Sequence, residues 1–238
     1  MNTFGNLKEA AWKWNIELSK SGLVVYTFGN LSIFDRKNKV FAIKPSGVPY
    51  ESLKPEDIVI VDLNNTVVEG SLRPCSDTKT HSVLYRYFPE ICSVVHTHST
   101  YAVAWAQAMI PIPIYGTTHA DHLAEDIPCT DGMDDAMIQG DYEEQTGMQI
   151  VKAFKNRSYK ETEMILVASH GPFTWSKTPE KALYNSVILE KLAKIAAFTH
   201  LINPTTPRLS QTLIAKHYQR KHGKSAYYGQ EKDTQTKK

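Results

Sequence analysis

Apolar residues recur along the chain with two different periods. Over residues 4–20, Phe4, Leu7, Ala11, Trp14 and Leu18 fall three or four apart, which predicts an amphipathic helix ended near Ser21-Gly22. "LVVYTFGNLSIFD" reads as a strand, a Gly-Asn turn and a second strand. "VFAIKPSG" is a strand closed by Pro45 and Gly47, and "DIVIVDL" is a short β-branched one with Asn64-Asn65 in the turn behind it. In "RPCSDTKTHSVLYRYFP", Ser76 or Asp77 is a natural helix N-cap and Pro89 stops the helix. "ICSVVHTHS" is a buried-type strand, and "TYAVAWAQA" behind it fits a helix. Pro111 and Pro113 keep "MIPIPIY" out of a sheet centre. Residues 134–155 read as helix, and "EMILVASHGPFTWS" as one apolar strand that ends at His170-Gly171-Pro172. Two helices follow, over 179–202 from Thr178-Pro179 and over 209–222. Residues 231–238 are polar and read as a disordered tail.

Strands and helices alternate without a strict βαβ rhythm, and several strands meet at hairpin-like turns. The prediction is an α/β fold: one domain over residues 1–230, with a mixed sheet covered by helices. The chain of 238 residues is long enough for a full core, and its 42% apolar and 22% charged residues are ordinary. A net charge of +2 does not call for nucleic acid, and the basic stretch "KHYQRKHGKSAYYGQEKDTQTKK" reads as solvated surface. Cys75, Cys92 and Cys129 are odd in number, widely spaced and without a CxxC, which fits a reducing cytoplasm rather than a disulfide framework. The N-terminus lacks the basic-then-apolar pattern of a secretory signal, and no apolar run is long enough for a membrane span.

Composition does not single out any chemistry; the histidines do. Residues two apart on a strand point to one face, so a strand continuing through residue 98 projects His96 and His98 side by side. His170 ends another apolar strand. Three imidazoles with an open position make a catalytic zinc pattern. The competing reading is three polar strand-end residues bonded locally. Asp77 is either a helix cap or a fourth ligand. Asp121, in "GTTHADHL" with His119 and His122, is either an acid–base group or part of a solvated turn. Gly29-Asn30 and Ser46-Gly47 follow strands and expose backbone N–H groups suited to an anion nest. Lys44 adds charge, and Ser76 can donate from a helix start. Tyr227 and Tyr228 lie beyond the last helix, where tyrosines either pack on a neighbouring subunit or move protons.

Together, "GNLS", "IKPSG", "SDTKTH", "VVHTHS", "GTTHAD", "SHGPF" and "KHGKSAYYGQ", in this order over roughly residues 5–230, resemble the class II aldolase/epimerase family and its epimerase branch in particular. The resemblance implies a single α/β domain with a mainly antiparallel central sheet flanked by helices. It implies a C4 homotetramer with active sites between subunits. It implies zinc held by Asp77, His96, His98 and His170, and phosphate held by Gly29, Asn30, Lys44, Ser46, Gly47, Cys75 and Ser76. Asp121 and Tyr228 match the two acid/base residues, with Tyr228 reaching in from a neighbouring subunit, and His217 falls near that site. The implied reaction interconverts L-ribulose 5-phosphate and D-xylulose 5-phosphate by breaking and remaking the C3–C4 bond. One departure stands out: Cys75 replaces a serine, and a thiol is the weaker donor. The first alternative is an aldolase of the same fold acting on a sugar phosphate such as L-fuculose 1-phosphate, in which a glutamate near the metal is the base. The second is a non-catalytic adducin-like module, which predicts a lost ligand or acid/base residue; none is lost.

Overall fold

The computed structural model describes residues 4–223 together with residue 226. Helix α1 (Gly5–Lys20) precedes strands β1 (Asn30–Asp35), β2 (Val40–Ile43), β3 (Val59–Asp62) and β4 (Val67–Glu69). Helix α2 (Thr78–Tyr87) leads into β5 (Ser93–His96). Helices α3 (Thr100–Ala108), α4 (Thr117–Ala120), α5 (Asp135–Gln139) and α6 (Tyr142–Ala153) lead to β6 (Met164–Val167) and β7 (Gly171–Ser176). Helices α7 (Pro179–Ile202) and α8 (Gln211–His222) follow.

The strands form one seven-stranded sheet in the order β4-β3-β2-β1-β5-β7-β6. Every pairing in it is antiparallel, so the mixed sheet expected from the pattern gives way to the antiparallel one implied by the resemblance. Apart from the edge strand β4, its strands are buried at nearly every position because helices cover both faces. Phe41, Ile43, Val59, Val61, Val94, Ile165, Val167, Phe173 and Trp175 pack with Leu84, Phe88, Ile150 and Phe154 of the α2–α6 side. The alternating residues Ala42 and Ile60 meet Ala11 of α1. Val95 meets Leu18 and Leu183, and Leu166 meets Trp105, Leu189 and Leu192. No helix among the described residues is long and apolar enough to cross a membrane.

Four expectations change. Residues 23–29 form no strand: Val25 and Tyr26 are exposed, and the carbonyls of Phe28 and Gly29 accept from the Tyr50 hydroxyl instead of a neighbouring strand. Residues 134–155 form two helices, divided at Gly140, because the Asp141 carboxylate accepts from Glu144 N and starts α6 afresh. The strand predicted to end at His170 is a hairpin. Ser169 takes a left-handed φ of 60°, which turns β6 back into β7 and leaves His170 in the turn. Strand β5 stops at His96, so His98 lies past its end.

Candidate active site

Strands β5 and β7 are antiparallel neighbours, with His96 opposite Phe173. The last residue of β5 and the turn ahead of β7 therefore share one edge of the sheet. His96 ends β5, His98 follows two residues later, and His170 comes in from the turn. One ring nitrogen from each lies within 4.8 Å of the others. His96 Nδ1 is 3.0 Å from the Pro172 carbonyl, which requires an N–H there and leaves a bare lone pair on Nε2. His98 Nε2 is 3.0 Å from that atom. Two lone pairs cannot face each other at that separation without a proton or a cation to share. Phe173 stacks on His96 at 4.2 Å between ring centroids. Burial pushes His170 down to about 4, helped by His96, and lowers His98 as well. Neutral imidazoles are what a metal ion needs. The loop carrying His98 is anchored by Glu190 of α7, whose carboxylate accepts from Tyr101 N at 3.0 Å and Ala102 N at 2.9 Å.

Asp77 precedes α2 but makes no side-chain capping bond, so the cap reading fails. Its Oδ2 accepts from Asn30 Nδ2 at 2.8 Å and lies 3.5 Å from Cys75 Sγ. Burial alone would raise its pKa. The fields of His96, His81 and His170 and the Asn30 bond override this and hold it low. A charged carboxylate thus sits beside the histidines.

The predicted phosphate residues gather next to Asp77. Gly29 has φ +76°, and a Cβ there would meet Val24 Cγ1 at 2.6 Å and the His96 carbonyl at 3.0 Å, so only glycine lets this turn lie against the histidine strand. Lys44 is 2% exposed, with Nζ donating to the Pro45 carbonyl at 3.3 Å and lying 4.8 Å from the Tyr50 ring. Burial lowers its pKa against the opposing field of Cys75. Ser46 N donates to Arg73 O at 2.9 Å, and Cys75 N to Lys44 O at 3.1 Å. These bonds zip the 44–47 loop to the 73–76 loop. They also use up two of the N–H groups expected to face an anion, and the Cys75 thiol lies on Asp77 and Asn30. Ser46, Gly47 and Ser76 remain exposed on the rim, and Asn30 Oδ1 is buried without a partner among the described residues.

Asp121 caps the end of α4, and its partners come from α8. It accepts from His217 Nδ1 at 2.9 Å and from Arg220 at 3.0 and 2.8 Å, with Lys221 at 3.8 Å. Burial raises its pKa, but Arg220 and His217 pull it below the usual carboxylate value. His119 turns into the core, 5% exposed. Tyr228 and residues 231–238 lie outside the described residues. The motifs did not signal Tyr50, Glu190 or Tyr142, whose hydroxyl is 3.5 Å from His170 Nδ1. Arg220 had a signal in its place one turn after His217 on a predicted helix.

The sequence matches the model of the class II aldolase and adducin N-terminal domain over residues 9–197. The chain belongs to that family. Solved structures of similar fold include an L-fuculose 1-phosphate aldolase with TM-score 0.77, 26% identity and coverage of 90% of this chain and 95% of the other. Another L-fuculose 1-phosphate aldolase, from Glaciozyma antarctica PI12, has TM-score 0.73 and 19% identity over 91% and 81% of the two chains. YgbL from Klebsiella pneumoniae has TM-score 0.66 and 21% identity over 89% and 97%. Class II aldolases are typically zinc-dependent. Three convergent nitrogens are a donor set that zinc accepts, and Asp77 feels the fields of His96 and His170 without an oxygen in that 4.8 Å cluster.

Proposed function

We propose that the protein is a zinc-dependent L-ribulose-5-phosphate 4-epimerase. The carrying observation is the convergence of His96, His98 and His170 beside a charged Asp77, next to a rim of exposed small residues. His96, His98 and His170, with Asp77, would hold the ion, which when bound supplies Lewis-acid polarisation of the ketose carbonyl. The exposed rim residues Ser46, Gly47 and Ser76, with Gly29 and the buried Asn30 behind them, bind the phosphate. They retain the two-carbon aldehyde while the C3–C4 bond is open, because an aldehyde that escaped would leave an aldolase reaction. Lys44 acts from beneath, through loop shape and charge. Asp121 accepts the proton of the C4 hydroxyl on one face, and Tyr228 of a neighbouring subunit donates on the other. A carboxylate held low by Arg220 and His217 is charged at neutral pH, the form a proton acceptor needs, although the same partners weaken it as a base. A homotetramer places those residues together, and the exposed Phe198, Leu201 and Ile202 of α7 offer apolar surface for assembly.

A second reading is an aldolase of the L-fuculose 1-phosphate type, favoured by the 26% identical structure. The aspartate at residue 77 and the "SAYYGQ" segment favour the epimerase. Incubation with L-ribulose 5-phosphate, with and without a chelator, separates the two. The expected product is D-xylulose 5-phosphate, formed only without chelator. Cleavage to an aldehyde and dihydroxyacetone without epimer would overturn the assignment.

A further inference from the structure

Tyr50 is buried, and nothing in the proposed reaction uses it. Its hydroxyl donates to two successive carbonyls, Gly29 O at 2.8 Å and Phe28 O at 3.1 Å. A trans peptide points its N–H opposite its C=O. A donor behind both carbonyls therefore turns the Gly29 and Asn30 N–H groups away from Tyr50. Asn30 pairs with His96 of β5, whereas Gly29 N–H has no acceptor among the described residues. The same side chain reaches the second loop of the predicted phosphate site. Lys44 Nζ lies 4.8 Å from the centre of the Tyr50 ring, within reach of a cation–π attraction, and 3.5 Å from Thr27 O. The third loop joins both, since Cys75 N donates to Lys44 O and Asn30 Nδ2 lies 3.1 Å from Cys75 Sγ. Tyr50 thus sits under the junction of the 27–30 and 44–47 loops, to which the 73–76 loop is bonded.

We infer that Tyr50 is a positioning residue for the phosphate: its hydroxyl holds the Phe28 and Gly29 carbonyls so that Gly29 N–H stays open to an anion, and its ring seats the Lys44 ammonium beneath the loop. Backbone N–H groups bind an anion well only when they are fixed beforehand, because ordering a loop on binding costs affinity. The inference deepens the phosphate half of the proposed function and does not depend on whether the sugar is epimerised or cleaved.

The test uses the full-length zinc-loaded protein, with inorganic phosphate as the probe and calorimetry as the readout. A metal-free arm separates phosphate held by the loops from phosphate held by the ion. Y50F removes only the oxygen and keeps the ring under Lys44. It should bind phosphate about 3- to 10-fold more weakly in both arms, with zinc affinity unchanged. In turnover the loss should fall on KM rather than kcat. A role confined to stability would lower the melting temperature and leave phosphate affinity as in the parent, and that result overturns the inference. Equal weakening of zinc and phosphate overturns it too, since the loops would then have loosened as a whole. If Y50F fails to fold, hydrogen exchange of the parent decides: inorganic phosphate should slow exchange across residues 27–31, and no slowing overturns the inference. Phosphate binding that weakens in Y50F, with no epimer formed from L-ribulose 5-phosphate, overturns the epimerase reading alone.

Discussion

His170 and Asp121 were both singled out as site residues, and they stand in opposite surroundings. At the histidine edge, burial strips charge: His170 is pushed down to about 4 and Phe173 backs His96. At the corner between α4 and α8, charge is gathered: Arg220, Lys221 and His217 crowd one carboxylate. The histidine edge is assembled by sheet register, since the antiparallel pairing of β5 with β7 fixes which residues meet. The corner is assembled by packing of a late helix, with Ile214 of α8 against Ile114 and Ala120. Register is the stiffer device, because a slip of one residue turns every side chain to the other face. Helix packing can adjust by small shifts. The difference suits the roles proposed for them, a rigid ligand set on one side and a proton-handling group on the other.

The sharpest way to break this contrast is to remove one imidazole. His170→Ala should lose bound zinc and turnover by more than the ~10–100-fold typical of a lost outer partner, read by metal analysis and product assay. Asp121→Asn should retain zinc and fold while lowering turnover about 10²- to 10⁴-fold, as for loss of a general base. Zinc lost in D121N, or kept in H170A, would dissolve the distinction between the regions. The two glycines refine it. Gly29→Ala forces a Cβ onto Val24 and the His96 carbonyl at positive φ, whereas Gly47→Ala meets nothing within 4 Å at φ +71°. Gly47→Ala should cost about 1–2 kcal/mol for backbone handedness alone, and Gly29→Ala more than that, measured by urea unfolding.

Acid should separate the regions in order. The folded pKa of His170 lies below its ordinary 6.5, so the stability it contributes is present above that value and lost as pH falls towards about 4. Asp121, depressed from 3.8, keeps its contribution until the pH drops below that value. Stability of the metal-free protein should thus decline from about pH 6.5, and His170→Gln should flatten that decline; an unchanged slope would show that other groups carry it. The smallest effect is expected from Cys75→Ser: the thiol lies on Asp77 and Asn30 rather than on the rim, so the KM for pentulose phosphate should change by less than about twofold, and a larger drop would show that this side chain reaches the phosphate.

Much of this was legible in the chain. Helix α7 runs Pro179–Ile202 as the pattern predicted, because Thr178 caps Lys181 N and Pro179 suits the first turn. The segment 23–29 misled because Val24, Val25, Tyr26 and Phe28 have strand propensity, yet a carbonyl clamp from Tyr50 competes for its backbone. The 164–176 hairpin was hidden because its turn uses Ser169 at positive φ rather than glycine or asparagine.

The sequence by itself determined most of the element types, the histidines that converge at the sheet edge and the family, since these follow from local periodicity and from residue types that only certain chemistry needs. The tertiary structure alone decided the rest. It brought His96, His98 and His170 within 4.8 Å, although 72 residues separate His98 from His170. It took Asp77 out of a helix-capping role and set it in the field of the histidines, and it spent the Cys75 N–H on Lys44. The physical reason is that spacing along a chain governs what is possible within one element. Which lone pairs and protons meet across the sheet depends on strand order, register and burial, and those come only from the packed whole.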